Sequence, residues 1–190
     1  MTAIVREGLM AALRARTAAA HQALEDGLDI LSTVRSPQRL RLLLERFYGF
    51  HVVWEPAVAA SSIAAFAADR SRLAGLRADL AGLGVSEIER AALPHCRPAA
   101  ALAATAARAI GSLYVMEGST LGGQVISRAL REAGRESLAY FNPYGGETGA
   151  RWRAFAAWAE SAAAGEDREA VVGSAEATFT LLRAWLTASP

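Results

Sequence analysis

Pro98 and Gly134 bracket the stretch that most limits what this chain can fold into. A proline opens the run, a glycine closes it and no proline falls between them, so the run reads as one long helix. Inside it lies LYVMEGSTLGGQVI, residues 113–126, which carries Gly118, Gly122 and Gly123. Each glycine costs a helix roughly 0.5–1 kcal/mol relative to alanine, so these three serve something other than helix formation. Gly118 and Gly122 are four residues apart and share a face. With no Cβ there, either a second helix or a flat ligand can approach the backbone closely. Gly123 adds flexibility beside them.

The rest of the chain is helical in pattern as well. A first helix covers about residues 4–30. Ser36 followed by Pro37 is an N-cap with proline at the first helical position. The helix it opens runs through QRLRLLLERFYGFHVVWEPAVAA, where Pro56 should kink it. A shorter helix is expected over 69–81, ended by Gly82 and Gly84, and Ser86 with Glu89 forms a capping box for a brief one. LPHCRP is a break, and FNPYGGETG is the most turn-rich loop. A helix then begins near Gly149, and a last one follows with acidic residues in its first turn. Six or seven helices and no strand predict an all-α, single-domain bundle over residues 1–190.

Composition narrows the function classes. The net charge of +1 gives no bulk attraction to nucleic acid or anionic membrane, and the basic residues are scattered rather than striped. All of them are arginine, so an anion must be met by arginine, histidine or backbone N–H groups. Cys96 is the single cysteine, which excludes an intramolecular disulfide and fits a cytoplasmic protein. The N-terminal segment lacks the uninterrupted apolar core of a signal peptide, and no window is apolar enough to span a membrane. Balanced charge and the lack of a heptad seam are compatible with a monomer.

The histidines supply the candidate chemistry. Glu25 lies four residues after His21, on the same helix face, where it can accept the Nδ1–H of the imidazole and leave Nε2 free for a metal. Arg14 lies seven residues before His21 on nearly the same face, roughly 10 Å along the axis. An axial imidazole, its orienting carboxylate and a cation for a propionate would be spaced this way, and so would an ordinary surface His–Glu pair. His51, among Phe47, Tyr48, Phe50 and Trp54, reads as a hydrogen-bonded core residue, and His95 as surface. Nucleophile elbow, P-loop, dinucleotide fingerprint and di-iron Glu-x-x-His pairs are all absent.

With these residues in place, the chain resembles the heme oxygenase family, and its bacterial biliverdin-producing members in particular. LRARTAAAHQALE, residues 13–25, looks like the proximal-helix motif with His21 in the axial-ligand place. LYVMEGSTLGGQVI resembles the distal-helix signature, and weaker agreement runs through WEPAV and GGETGARWRAF. The resemblance implies a helical bundle holding heme b between a proximal and a distal helix. It implies His21 as the iron ligand, Glu25 on the far side of its ring, and Gly118, Gly122 and Gly123 over the heme face. Arg14 and Arg153 would sit near the propionates. Ser119 stands where some members carry an aspartate that orders distal water, which leaves the proton relay unnamed.

The implied reaction is opening of heme to biliverdin, carbon monoxide and ferrous iron. Dioxygen is a co-substrate, and electrons come from a separate reductase or a ferredoxin- or flavodoxin-type donor. A bilin-accepting photoreceptor is a further implied partner, and supply of its chromophore and iron acquisition need the same chemistry. Two other readings keep parts of the pattern. A non-catalytic heme-binding or trafficking protein would retain His21, and a helical interaction bundle would use Gly118 and Gly122 for close packing.

Overall fold

The computed structural model describes residues 8–136 and 138–188. Among these, every regular element is helical. Helix α1, Leu9–Leu28, ends at Asp29, whose left-handed backbone (φ 40°) turns the chain into the single turn α2, Ile30–Thr33. Ser36 accepts from Arg39 N and opens α3, Pro37–Ala59, as its Ser-Pro start predicts. Pro56 lies inside α3, and the helix continues past it to Ala59.

Two expected boundaries move. The helix expected over 69–81 begins only at Leu73, as α5, Leu73–Gly82, with residues 70–72 non-helical, and an unexpected single turn, α4, Ala64–Ala67, precedes it. The reason is polar: the Ser71 hydroxyl and the Arg72 backbone N–H both donate to Glu55, which holds the chain out of helical geometry. The long helix begins at Ala106 rather than Pro98. Arg97–Ala103 forms a 3-10 helix bent by 115° from α7, Ala106–Glu132, and Thr105 caps α7 by accepting from Arg108 N. The Ser86–Glu89 capping box forms, and opens α6, Glu87–Ala91. The first helix starts at Leu9; its expected start at residue 4 lies outside the described residues.

After the 138–147 turns come α8, Thr148–Ala162, and α9, Arg168–Leu186, which Asp167 caps. Helix α9 is the spine: α1 and α7 both pack along it, and α8 packs on α7 and α1. At Gly111 the α7 and α9 backbones nearly touch, since a Cβ there would lie 2.1 Å from the Val171 carbonyl oxygen. Leu13, Leu44, Phe50, Leu76, Ile110, Leu113, Leu130 and Phe155 are fully enclosed in one core. Each such burial contributes about 1.5–3 kcal/mol. No single helix among the described residues is long and apolar enough to cross a membrane.

Candidate functional site

On α1, His21, Glu25 and Arg14 share one solvent-facing side, as their spacing requires. The His21 side chain is 54% exposed, and its ring packs against Phe179 of α9 with centroids 5.2 Å apart. Its Nε2 lies 3.3 Å from Glu25 Oε1. The pairing is the expected one, but the nitrogen is not: Nε2 rather than Nδ1 faces the carboxylate. Nδ1 would reach the carboxylate only in another side-chain rotamer, because a half-turn about Cβ–Cγ exchanges each ring nitrogen with a ring carbon. Arg14 is exposed and makes no ion pair among the described residues. Arg16 is differently occupied, bridging to Glu169 and Glu176 of α9 at 3.2 and 3.1 Å.

On α7, Gly118, Leu121, Gly122 and Val125 lie on one face, at the i, i+3, i+4, i+7 positions. Leu121 and Val125 are large apolar side chains left 47% and 60% exposed. A Cβ on Gly122 would meet nothing within 4 Å, and one on Gly118 would meet only the Trp152 ring, at 3.7 Å. This is an apolar strip whose backbone is bare in its middle. Beside it, the Ser119 hydroxyl donates to the Met116 carbonyl at 2.7 Å, and Arg72 donates to the same carbonyl at 2.8 Å. Ser119 therefore offers lone pairs, not a proton, to whatever lies on the strip.

Gly123 does other work than expected. Five residues from Gly118 is 500° of helix, so it sits 140° round the axis, on the buried side. A Cβ there would be 1.7 Å from the Phe141 carbonyl oxygen. Its missing side chain admits the 138–147 loop; it does not open the strip. Arg153 is exposed on α8, next to Trp152, and lies against Gly149 of its own helix.

The sequence reading missed a buried polar cluster on the flank of α7 beside the strip. Glu117 is 1% exposed. Its carboxylate accepts from Arg70 and from the Tyr144 hydroxyl (2.8 Å), and lies 3.6 Å from Arg72. Arg70 also stacks on Phe66, and Arg72 and Arg151 on Tyr144, while Arg151 pairs with Asp69. Burial raises the Tyr144 pKa, and the hydrogen bond from Arg151 lowers that of Asp69.

A second polar group adjoins it. His51 is fully buried, with Nδ1 2.9 Å from Glu55 and Nε2 3.2 Å from the Tyr140 hydroxyl, a satisfied core histidine as expected. Desolvation holds His51 below its ordinary pKa. Burial pushes Glu55 up, but its bonds from His51, Ser71 and Arg72 N outweigh that and leave it lowered. Asp79 accepts from the backbone N–H groups of Ala139 (2.9 Å) and Tyr140 (2.8 Å), and burial raises its pKa. The signal for the cluster was a charge inside the apolar run LYVMEG.

His21 and Gly111 index α1 and α7 on the same spine: Gly111 meets Val171 and Ala175, and His21 meets Phe179 one turn further on. Half-exposed imidazole, free Arg14 and a bare apolar strip suit a flat, mostly apolar ligand with a metal centre and anionic edges.

A sequence model described as Heme oxygenase matches residues 7–188. The fold is similar to a heme oxygenase from Leptospira interrogans (TM-score 0.78, 15% identity, covering 95% of this chain and 99% of that one). It is also similar to heme oxygenase 2 from Chlamydomonas reinhardtii, solved without heme (TM-score 0.73, 17% identity, 97% and 98% covered). No curated protein sequence matches.

Proposed function

The chain belongs to the heme oxygenase family, and we propose that it cleaves heme b oxidatively to biliverdin, carbon monoxide and ferrous iron. What supports the proposal is a half-exposed His21 on α1 and a bare Gly118–Gly122 strip on α7, on two helices that both pack along α9. The residues fit the ligand. His21 supplies one imidazole, and a carboxylate within reach holds its ring. Gly122 leaves an open cradle that a single Cβ would begin to fill.

Bound heme supplies the redox chemistry, with dioxygen and outside electrons as co-substrates. The chain's own contributions are physical. Glu25 holds the imidazole ring in place. Leu121 and Val125 would exclude water from the ligand's face, and the bare backbone at Gly118 and Gly122 would let the ligand approach α7 closely. Ser119, its proton donated to the Met116 carbonyl, would accept a hydrogen bond from a water at the strip without being the acid itself. Arg14 is unpaired and able to grip a propionate in bidentate fashion, and Arg153 is a second candidate. No flavin or iron–sulfur motif is visible in the sequence, so a reductase or a small redox protein delivers the electrons. A cytoplasmic setting fits the lone buried Cys96.

The test is a titration with hemin followed by ascorbate in air. A Soret band saturating at one heme per chain, then lost as the broad red band of biliverdin grows, is the expected result. A Soret band that survives reductant, air and a dedicated reductase would make the protein a carrier. No Soret band would end the proposal.

A further inference from the structure

We propose that Glu117 is a positioning residue: bound by Arg70 and by Tyr144 of the 138–147 loop, it sets the rotation of α7 that turns the Gly118–Gly122 strip outward. This rests on the function proposed above for its consequence, though not for its geometry.

The loop grips α7 at two places. The Phe141 carbonyl fills the bare side of Gly123, and the Tyr144 hydroxyl donates to Glu117 at 2.8 Å. The loop is itself held, because the Asp79 carboxylate accepts from Ala139 N and Tyr140 N. Glu117 and Gly123 are six residues apart, roughly 9 Å along the axis. Both are buried, and at 100° per residue they lie about 120° apart around the axis, on the two flanks of the side that carries Met116, Thr120 and Ser127. Two fixings at different heights and on different flanks set both the rotation and the tilt of a helix; either one alone leaves a pivot.

Glu117 is also the charge that Arg72 answers. Within 4.0 Å of the Arg72 guanidinium the carboxylate is that of Glu117, and Arg72 donates in turn to the Met116 carbonyl shared by Ser119. Removing the Glu117 charge leaves a 4%-exposed guanidinium without its anion, attached to the turn that bears Ser119 and Gly118. The lever is short. Backbone atoms lie about 2.3 Å from the helix axis, so a rotation of roughly 20° moves the strip's Cα atoms by about 0.8 Å. Displacements near 1 Å at a reacting centre change rates by about 100-fold.

The experiment compares Glu117→Gln with the wild-type chain by amide hydrogen exchange without heme, then by Soret position and biliverdin isomer ratio with heme. Expected are exchange at least about ten-fold faster over residues 119–126, unchanged exchange over 171–182 of α9, and a shifted isomer ratio. Unchanged exchange over 119–126 overturns the proposal. Faster exchange with an unmoved Soret band and isomer ratio also overturns it, reducing Glu117 to a stabilising contact. If α9 loosens equally, Tyr144→Phe, which deletes one hydroxyl and keeps the ion pairs, decides by the same readouts. A wild-type chain that takes up no heme would end the functional reading while the exchange arm still decides whether Glu117 holds the strip.

Discussion

Gly122 and Gly123 are neighbours in sequence, and alanine at each is expected to act in opposite directions. A Cβ on Gly123 falls 1.7 Å from the Phe141 carbonyl oxygen and 2.9 Å from its carbon. Non-bonded heavy atoms rest about 3.5 Å apart, so helix and loop must separate by roughly 1.5 Å or more. The loop cannot yield freely, being tied at Ala139, Tyr140 and Tyr144. Overpacking of this kind costs about 1–3 kcal/mol, and the helix propensity of alanine returns up to about 1 kcal/mol. A net loss of up to about 2 kcal/mol lowers Tm by as much as roughly 4–8 °C in a chain of this size. A Cβ on Gly122 meets nothing, so Gly122→Ala keeps the propensity gain of about 0.5–1 kcal/mol and raises Tm by roughly 1–4 °C. With hemin the order reverses: the Gly122→Ala methyl stands on the strip and weakens uptake, though the apoprotein is more stable. Calorimetry of both apoproteins and a Soret titration of Gly122→Ala measure this. Equal Tm changes, or a more stable Gly123→Ala, would refute the assignment of the two glycines to different sides of α7.

Other expectations follow from the same contacts. Asp79→Ala orphans two backbone donors, one of them buried, and is expected to cost about 2–4 kcal/mol in urea unfolding. His51 is buried with its pKa lowered, so between that value and the ordinary 6.5 the unfolded chain binds the extra proton. Stability therefore rises with pH across that window and is lost as pH falls through it, by at most about 1.4 kcal/mol per pH unit for one proton. Glu55, also lowered, adds a loss at still lower pH. Urea midpoints at pH 5 and 6.5 should show a smaller difference in His51→Gln than in the wild-type chain. His21→Ala, at a half-exposed ring, should leave Tm unchanged and abolish the sharp Soret band.

The helices were legible because their punctuation is local. Ser36-Pro37, the Ser86–Glu89 box and the α1 face of Arg14, His21 and Glu25 follow from spacing alone. Where the reading failed, a distant partner decided. Residues 70–72 leave the helix to reach Glu55 and Glu117, from elements that no window around them contains. Thr105 outranked Pro98 as the start of α7, because a side chain that accepts from the third residue on begins an α-helix where proline had begun a 3-10 turn. Gly123 was placed with its neighbours because three glycines in a row of six look alike in sequence. Helical angle separates them, and only the loop explains the third. Glu117 was visible as a charge in an apolar run, but its two arginines and its tyrosine come from elsewhere in the chain.

The contacts that hold α1 reach almost the full length of the molecule. Met10 N donates to Glu160 across 150 residues, Arg16 reaches Glu169 and Glu176 across 153 and 160, and His21 leans on Phe179. The helix that carries the candidate ligand is thus synthesised well before the residues that hold it. At about 5–20 residues per second, a ribosome needs roughly 8–30 s to supply them. During that interval the nascent chain displays the imidazole without the spine that indexes it. Competence to take up heme should therefore switch on late and abruptly during translation, rather than growing with chain length.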